Sequence, residues 1–372
     1  MKIVQLCPYA MDRPGGVQRH VRDLAAWLTS EGHETRIVAP PAPGRRPTRK
    51  GNLIELGVSR PLYLHGTGFE VCWAPARQRR TWAHELRAWG ADIVHLHTPW
   101  TPLMVWQMWR ALGLPAVATV HATLPDRDAS GVADRYIRWA ARRILPRMRA
   151  VITPSEAPVP LLRRLVPGLS VHVLPPSVDL APWRDVAADR PARDGLRLAF
   201  LGRLEPRKGV DILLQAWPSI AKAVPAVSLT IAGDGPLRSK VQAAVSDRLA
   251  YTGRPDDAAA RALLADADLF LAPAPFGESF GLVLTEAMSA GTLPVAAANP
   301  GYASVLTGDG AALLVPPGDA EALAARVIAL ARDPMARAEL AAWSRAKAAR
   351  HDIARTGPQY LALYRSVLAE NG

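Results

Sequence analysis

Cysteine is almost absent: Cys7 and Cys72 are the only two in 372 residues. Two thiols build no disulfide framework and are too few for a thiolate metal site. Lysine is scarce as well, with six among 45 basic residues. No apolar run approaches the roughly 18 residues of a membrane span. The opening residues, Met1 to Pro8, lack a long apolar stretch and a small-residue cleavage site, so they read as a first β-strand rather than a secretory signal. Neither G-x-G-x-x-G nor Gly-Lys-Ser/Thr occurs, which excludes the dinucleotide fingerprint and the P-loop. What is there is a globular balance, 49% hydrophobic and 21% charged, in a chain long enough for two domains. A cytoplasmic protein is expected.

The net charge of +12 is unevenly spread. Residues 1–180 hold 24 Lys and Arg against 13 Asp and Glu, and the remainder holds 21 against 20. Eight of the 11 Trp also fall in the first half. A basic, Trp-rich half fits nucleic acid, an anionic membrane or an acidic ligand as its partner.

Short β-branched runs alternate with helical patterns along nearly the whole chain. In the first half the strands expected are Ile3–Leu6, Thr35–Ala39, Leu53–Leu56, Asp92–Leu96, Ala116–Val120, Ala150–Thr153 and Val171–Leu174. Six more, from Leu196–Leu201 to Ala312–Val315, follow in the second half, with helices between. That alternation means parallel sheets covered on both faces: an α/β protein of two doubly wound, Rossmann-like domains. The proline-rich Leu174–Pro182 reads as the linker, dividing residues 1–180 from 181–354. The last helix, about 355–372, packs back on one of the two. Ligands of open α/β sheets bind beyond the carboxyl ends of the strands, so two such domains facing each other make a cleft.

Three stretches carry the chemistry. After the first strand, Pro14-Gly15-Gly16-Val17-Gln18 opens directly into a helix, where paired glycines let backbone N–H groups approach an anion. A plain tight turn is the alternative. The second domain's first strand ends in Gly202-Arg203-Leu204-Glu205-Pro206-Arg207-Lys208-Gly209. Three cations there, planar Arg forks and a Lys point charge, suit a diphosphate. In Phe276-Gly277-Glu278-Ser279-Phe280-Gly281-Leu282-Val283-Leu284-Thr285-Glu286 two carboxylates stand eight residues apart, about 12 Å if the stretch is helical. A Glu within so apolar a segment needs a partner or ligand, and nucleotide-sugar hydroxyls would serve. A glycosidase acid/base couple wants about 5–9.5 Å.

Together with Ile231-Ala232-Gly233-Asp234-Gly235-Pro236, these motifs resemble the family-4 retaining glycosyltransferases of GT-B fold over essentially the whole chain. Within that family the likeness is greatest to the mannosyltransferases acting on phosphatidylinositol, through Cys7-Pro8-Tyr9, Gly15-Gly16-Val17-Gln18 and Gly277-Glu278-Ser279-Phe280-Gly281. The resemblance implies sugar transfer from a nucleotide diphosphate with retention, by a same-face, ion-pair-like route without a metal or other cofactor. It places Gly15, Gly16, Arg203 and Lys208 at the leaving diphosphate, where developing charge is stabilised. Phe280, Gly281 and Leu282 add a helix start to that anion site. Glu286 would hold the ribose, Glu278 hydroxyls of the transferred sugar, and His121 the sugar or acceptor. A strand-end histidine satisfied by backbone is the plainer reading of His121.

The resemblance favours GDP-mannose over a UDP-sugar. Guanine can offer N1–H and its amine to Asp257, although Asp256 and Asp257 equally suit a helix N-cap. Tyr9, Asp12 and Thr123 are the expected acceptor contacts. A lipid-linked acceptor is expected: an inositol lipid and a polyprenyl-diphosphate glycan both fit. The segment with Arg77, Arg79, Arg80 and Trp82 would lie on an anionic membrane, at its inner face. His95 and His97 share a strand face and read as packing, and Asp266-Ala267-Asp268 as structural rather than a metal motif. The departure at Pro176-Ser177-Val178-Asp179, where relatives carry Asn-Gly-Val-Asp, weakens a direct transfer of the inositol-lipid assignment. From other classes stand a basic nucleic-acid-binding protein, for which no recognition motif is found, and a GT-B epimerase or phosphorylase, which lacks this motif combination.

Overall fold

The computed structural model describes residues 1–13, 15–64, 67–101, 103–121, 132–186 and 195–370, with the backbone alone at 61–64, 67–70 and 132–134. The chain forms two compact units, Met1–Val178 with Ile353–Gly372, and Asp179–Asp352.

The first unit runs β1 (Lys2–Leu6), α1 (Gly16–Ser30), β2 (Glu34–Ala39), β3 (Arg49–Lys50), β4 (Leu53–Glu55), β5 (Val58–Leu64), β6 (Thr67–Trp73), α2 (Ala76–Ala88), β7 (Ile93–His97), α3 (Met104–Leu112), β8 (Ala116–Thr119), α4 (Val132–Ile144), β9 (Ala150–Thr153), α5 (Val159–Leu165) and β10 (Val171–Val173). Eight strands form one sheet in the order β10-β9-β8-β7-β1-β2-β4-β3, parallel except for β3 on β4. The order reverses between β1 and β7. Parallel strands must be buried on both faces, and two apolar clusters do this. One gathers Leu6, Leu86, Val94, Met108, Ile144 and Leu162 under α2 to α5. The other joins Ile3, Leu24, Leu28 and Ile93 to residues near the C-terminus.

The second unit continues α6 (Ala181–Val186), β11 (Leu196–Leu201), α7 (Val210–Ala223), β12 (Val227–Ala232), α8 (Arg238–Ala243), β13 (Leu249–Gly253), α9 (Asp257–Asp266), β14 (Leu269–Ala272), α10 (Leu282–Ser289), β15 (Leu293–Ala297), α11 (Pro300–Val305), β16 (Leu314–Val315), α12 (Ala320–Arg332) and α13 (Pro334–Ala348). Its sheet order, β13-β12-β11-β14-β15-β16, is wholly parallel and is the Rossmann order 3-2-1-4-5-6. The reversal falls between β11 and β14. The final helix, α14 (Ile353–Ala369), belongs to the first unit.

Several elements depart from the sequence expectation. The hairpin β5–β6 pairs Val58 with Trp73 and Pro61 with Glu70; Pro61 hid it, since proline argues against a strand interior. Helix α13 buries only Ser344 and Ala348, so its apolar periodicity is faint. Helix α14 runs from Ile353 to Ala369, against the expected 355–372, and carries Pro358 inside. The expected linker is not loose: Ser177 and Val178 are fully buried, and Ala181–Val186 is helical.

Helix α14 closes the first unit's sheet. Tyr360 and Tyr364 are buried with Ile3 and Ile93, and the Tyr364 hydroxyl lies 2.7 Å from His95 Nδ1. Tyr364→Ala is expected to cost about 3–5 kcal/mol, as for other buried aromatics. Tyr364→Phe, which removes only the hydroxyl partner, should cost about 1–3 kcal/mol. Urea unfolding followed by tryptophan fluorescence measures both.

Candidate functional site

The reversal point of the second sheet brings two loops together, because β11 and β14 are neighbours although two strands lie between them in sequence. One loop leaves β11 through Gly202 to Gly209, and the other leaves β14 through Pro273 to Gly281. Gly209 has φ +75°, and a Cβ there would stand 2.1 Å from the Pro273 carbonyl oxygen. Only glycine permits that approach.

The approach joins the two charged motifs. Lys208 Nζ donates to Glu278 Oε1 at 2.7 Å, and Arg207 Nη1 donates to the same oxygen at 3.0 Å. Arg203 pairs with Glu205 at 2.9 Å. Glu205 is buried and also faces Arg207. Three cations and two carboxylates thus alternate, with one positive charge in surplus. Burial pushes the Glu278 carboxyl up, but Lys208, Arg207 and Arg203 outweigh it and hold it below the usual carboxylate range. Burial is also the largest influence on Lys208 and, with the neighbouring Arg207, keeps its ammonium below the usual lysine range despite Glu278. A carboxylate that is firmly ionised beside cations partly stripped of water can exchange partners with an incoming diphosphate. By sequence, Arg207 counts among three cations suited to a diphosphate but takes no role of its own, and Glu205 takes none. Their signal was the alternation of sign at residues 203, 205 and 207.

Helix α10 begins at Leu282, not at Phe280, so half of the Glu278-to-Glu286 interval is loop and the helical rise does not span it. Gly281 caps the helix at φ +105°, over the Tyr302 ring. The first N–H groups of α10 have no acceptor within the helix. Phe280 is buried edge-on to His351 at 5.2 Å. Glu286 lies on α10, half-buried.

For the two aspartates before α9 the roles divide. Asp256 is the N-cap, accepting from Ala259 N–H at 2.8 Å. Asp257 is exposed in the first turn. Asp266 and Asp268 are structural: the first holds Arg197 Nη1 at 2.6 Å and the second accepts Arg197 N–H at 2.8 Å.

In the first unit the corresponding reversal point lies between β1 and β7. Gly15 and Gly16 start α1 without a side-chain cap. Thr98 and Leu103, just beyond β7, hold φ values of +50° and +79°, a strain of the kind found at functional loops. Four histidines gather there. His97 Nδ1 lies 3.0 Å from His121 Nε2, and His97 Nε2 lies 3.1 Å from Gln5 Oε1. His95 lies 2.7 Å from both Thr119 Oγ1 and Tyr364. His20, from α1, sits within about ring-contact range of His97 and His121, at 5.4 and 5.3 Å between centroids. Ring nitrogens of His20, His97 and His121 lie within 4.8 Å of one another. Burial pushes all four down, His20 to about 4 and the others well below the usual histidine value. His97 is therefore not plain packing; it touches His121.

Tyr9 is half-buried against Cys7 and Met11, and Asp12 pairs with Arg45 at 2.7 Å. Thr123 lies outside the described residues. On α2, Arg77 and Arg80 are exposed and Arg79 is half-buried. Trp82 is half-buried against the core, with Arg49 over its ring. The exposed apolar side chains beside this helix are Trp73 and its strand partner Val58.

Comparison with known proteins gives these sites a family. Residues 14–182 match Glycosyltransferase Family 4, and residues 195–333 match Glycosyl transferases group 1. A phosphatidyl-myo-inositol mannosyltransferase of Mycolicibacterium smegmatis is 32% identical over 99% of this chain and 94% of that protein. The chain belongs to glycosyltransferase family 4. It shares the GT-B fold with sucrose-phosphate synthase from Thermosynechococcus elongatus (TM-score 0.78, 21% identity, 99% of each chain). Anabaena HepE, solved with UDP and glucose, is similar at TM-score 0.75 and 20% identity, over 98% of this glycosyltransferase and all of that chain. Among the described residues no helix is long and apolar enough to cross a membrane.

Both sites make the enzyme acid-sensitive, with limbs that begin at different pH and overlap at the acid end. Each depressed pKa stabilises the fold above the unfolded-state value and is lost as pH falls toward the folded one. The buried histidines should therefore erode stability from about pH 6.5 downward, and Glu278 only below about pH 4.3. His20→Gln should flatten the first limb by up to about 1.4 kcal/mol per pH unit, and Glu278→Gln the second alone. Urea midpoints between pH 3 and 8 measure the limbs.

Proposed function

We propose that this glycosyltransferase transfers mannose from GDP-mannose, with retention and without a metal, to a lipid-linked acceptor at an anionic membrane surface. The observation that carries the reading is the junction of Arg203, Arg207, Lys208 and Glu278 at the reversal point of the second sheet. In that reading Arg203 and Lys208 bind the diphosphate and neutralise the charge it gains as the glycosidic bond breaks. Backbone N–H groups at the start of α10 add to them. Glu286 holds the ribose and Glu278 the hydroxyls of the sugar. Asp257 receives guanine N1–H and the amine, while Asp256 keeps the helix cap. Neutral His121 hydrogen-bonds sugar or acceptor. No side chain is assigned as nucleophile: the acceptor oxygen attacks on the face that the diphosphate leaves, and a diphosphate oxygen takes its proton.

Full-length identity to the phosphatidyl-myo-inositol mannosyltransferase supports both mannose and a lipid acceptor. The basic first half supports the membrane, and Val58, Trp73, Arg77 and Arg80 form its contact face in this reading, an apolar pair beside two exposed cations.

Calorimetry with GDP, UDP, GDP-mannose and UDP-glucose in metal-free buffer tests the donor. Guanine nucleotides should bind tightest, with that preference lost in Asp257→Ala and all nucleotide affinity lost in Glu286→Ala. Tighter uridine binding would overturn the mannosyl donor and keep the phosphate site. For the surface, replacing Arg77 and Arg80 by Gln should weaken sedimentation with phosphatidylserine vesicles about thirtyfold, at about 1 kcal/mol per cation. Unchanged sedimentation would remove this face from the membrane reading.

A further inference from the structure

The four clustered histidines, three buried and His121 half-buried, are more than the proposed transfer uses, and their bonds have a direction. Gln5 Oε1 is an acceptor only, so His97 Nε2, 3.1 Å away, carries a proton and donates to it. A neutral imidazole has one N–H, which leaves His97 Nδ1 as an acceptor. The atom 3.0 Å from that nitrogen is His121 Nε2, which must then be the donor. We propose that Gln5 and His97 are positioning residues that fix the proton of His121 on Nε2, leaving Nδ1 as the acceptor nitrogen of that ring.

The chain of groups is built to hold one arrangement. Gln5 and His97 are fully buried, in the neighbouring strands β1 and β7. His121 follows β8, and the rings of His97 and His121 stack at 5.2 Å with 24° between planes. His20 closes the far side, edge-on to His97 and tilted on His121, with its Nδ1 held by the backbone of Ser177. The charged form of any member is disfavoured by burial, so the relay works by tautomer and not by charge. The logic is that of an orienting group behind a catalytic base, with a neutral amide in place of a carboxylate.

A metal ion is the competing use of His20, His97 and His121, whose nitrogens are near enough to share one. Both nitrogens of His97 are already engaged, one by His121 and one by Gln5, and a metal on Nδ1 would displace the His121 bond.

The proposal rests on the transfer reading only for its kinetic arm. Nitrogen-15 spectra of the full-length protein labelled at histidine, assigned with His97→Gln and His121→Gln, read the tautomers directly. Wild type should carry the His121 proton on Nε2, and Gln5→Leu should shift His121 toward the Nδ1–H form. A proton on Nδ1 of wild-type His121, or a spectrum unchanged by Gln5→Leu, overturns the proposal. Stoichiometric zinc retained through dialysis and lost in His20→Gln also overturns it. In transfer assays Gln5→Leu should lower kcat about tenfold or more with KM for the donor within twofold, and Gln5→Glu, which restores an acceptor, should recover it. An unchanged kcat overturns the positioning role. If wild type transfers no sugar, the functional reading fails while the spectra still decide the tautomer.

Discussion

The Lys208-to-Glu278 hydrogen bond ties the loop after β11 to the loop after β14, and most of the second unit can be read as the scaffold that makes this bond possible. The two strands must be adjacent, which the doubly wound order supplies. Their loops must then touch at backbone distance, which Gly209 permits by lacking a Cβ against Pro273. Burial would otherwise disfavour every charge in the cluster. The alternation of Arg203, Glu205, Arg207 and Glu278 gives each charge an opposite neighbour, so the site keeps its cations without an uncompensated buried ion. A surplus of one positive charge then remains for an anionic ligand.

The first unit solves a different problem with neutral groups. Its reversal point holds imidazoles, an amide and two hydroxyls rather than ion pairs. All but the half-buried His121 are fully buried, and burial disfavours the charged form of each histidine. A cationic environment at this edge would compete for the phosphates of a donor. A neutral one can recognise hydroxyl groups, whose hydrogen bonds depend on which nitrogen bears the proton. Helix α14, arriving from the far end of the sequence, supplies the tyrosine that holds His95. The polar cluster therefore depends on a packing event between the two ends of the chain.

The alternation of β-branched runs with amphipathic stretches by itself specified two parallel sheets, because buried parallel strands and crossover helices leave that signature. The motifs at residues 14–18, 202–209 and 276–286 likewise placed glycine-rich and charged loops at strand ends, since loop glycines and clustered cations are local features. Elements with little apolar signal were not legible: α13 buries almost nothing, and Pro61 disguised the β5–β6 hairpin. Only the tertiary structure decided pairing. It placed Arg207 and Lys208 on one oxygen of Glu278, gave Asp256 rather than Asp257 to the helix cap, and packed one side of Trp82 against the core. It also made a chain of Gln5, His97 and His121, residues 92 and 24 positions apart. A sequence states which groups are available. Which atoms meet depends on strand order and on the side each residue turns to its neighbours, and those are fixed only when the sheet closes.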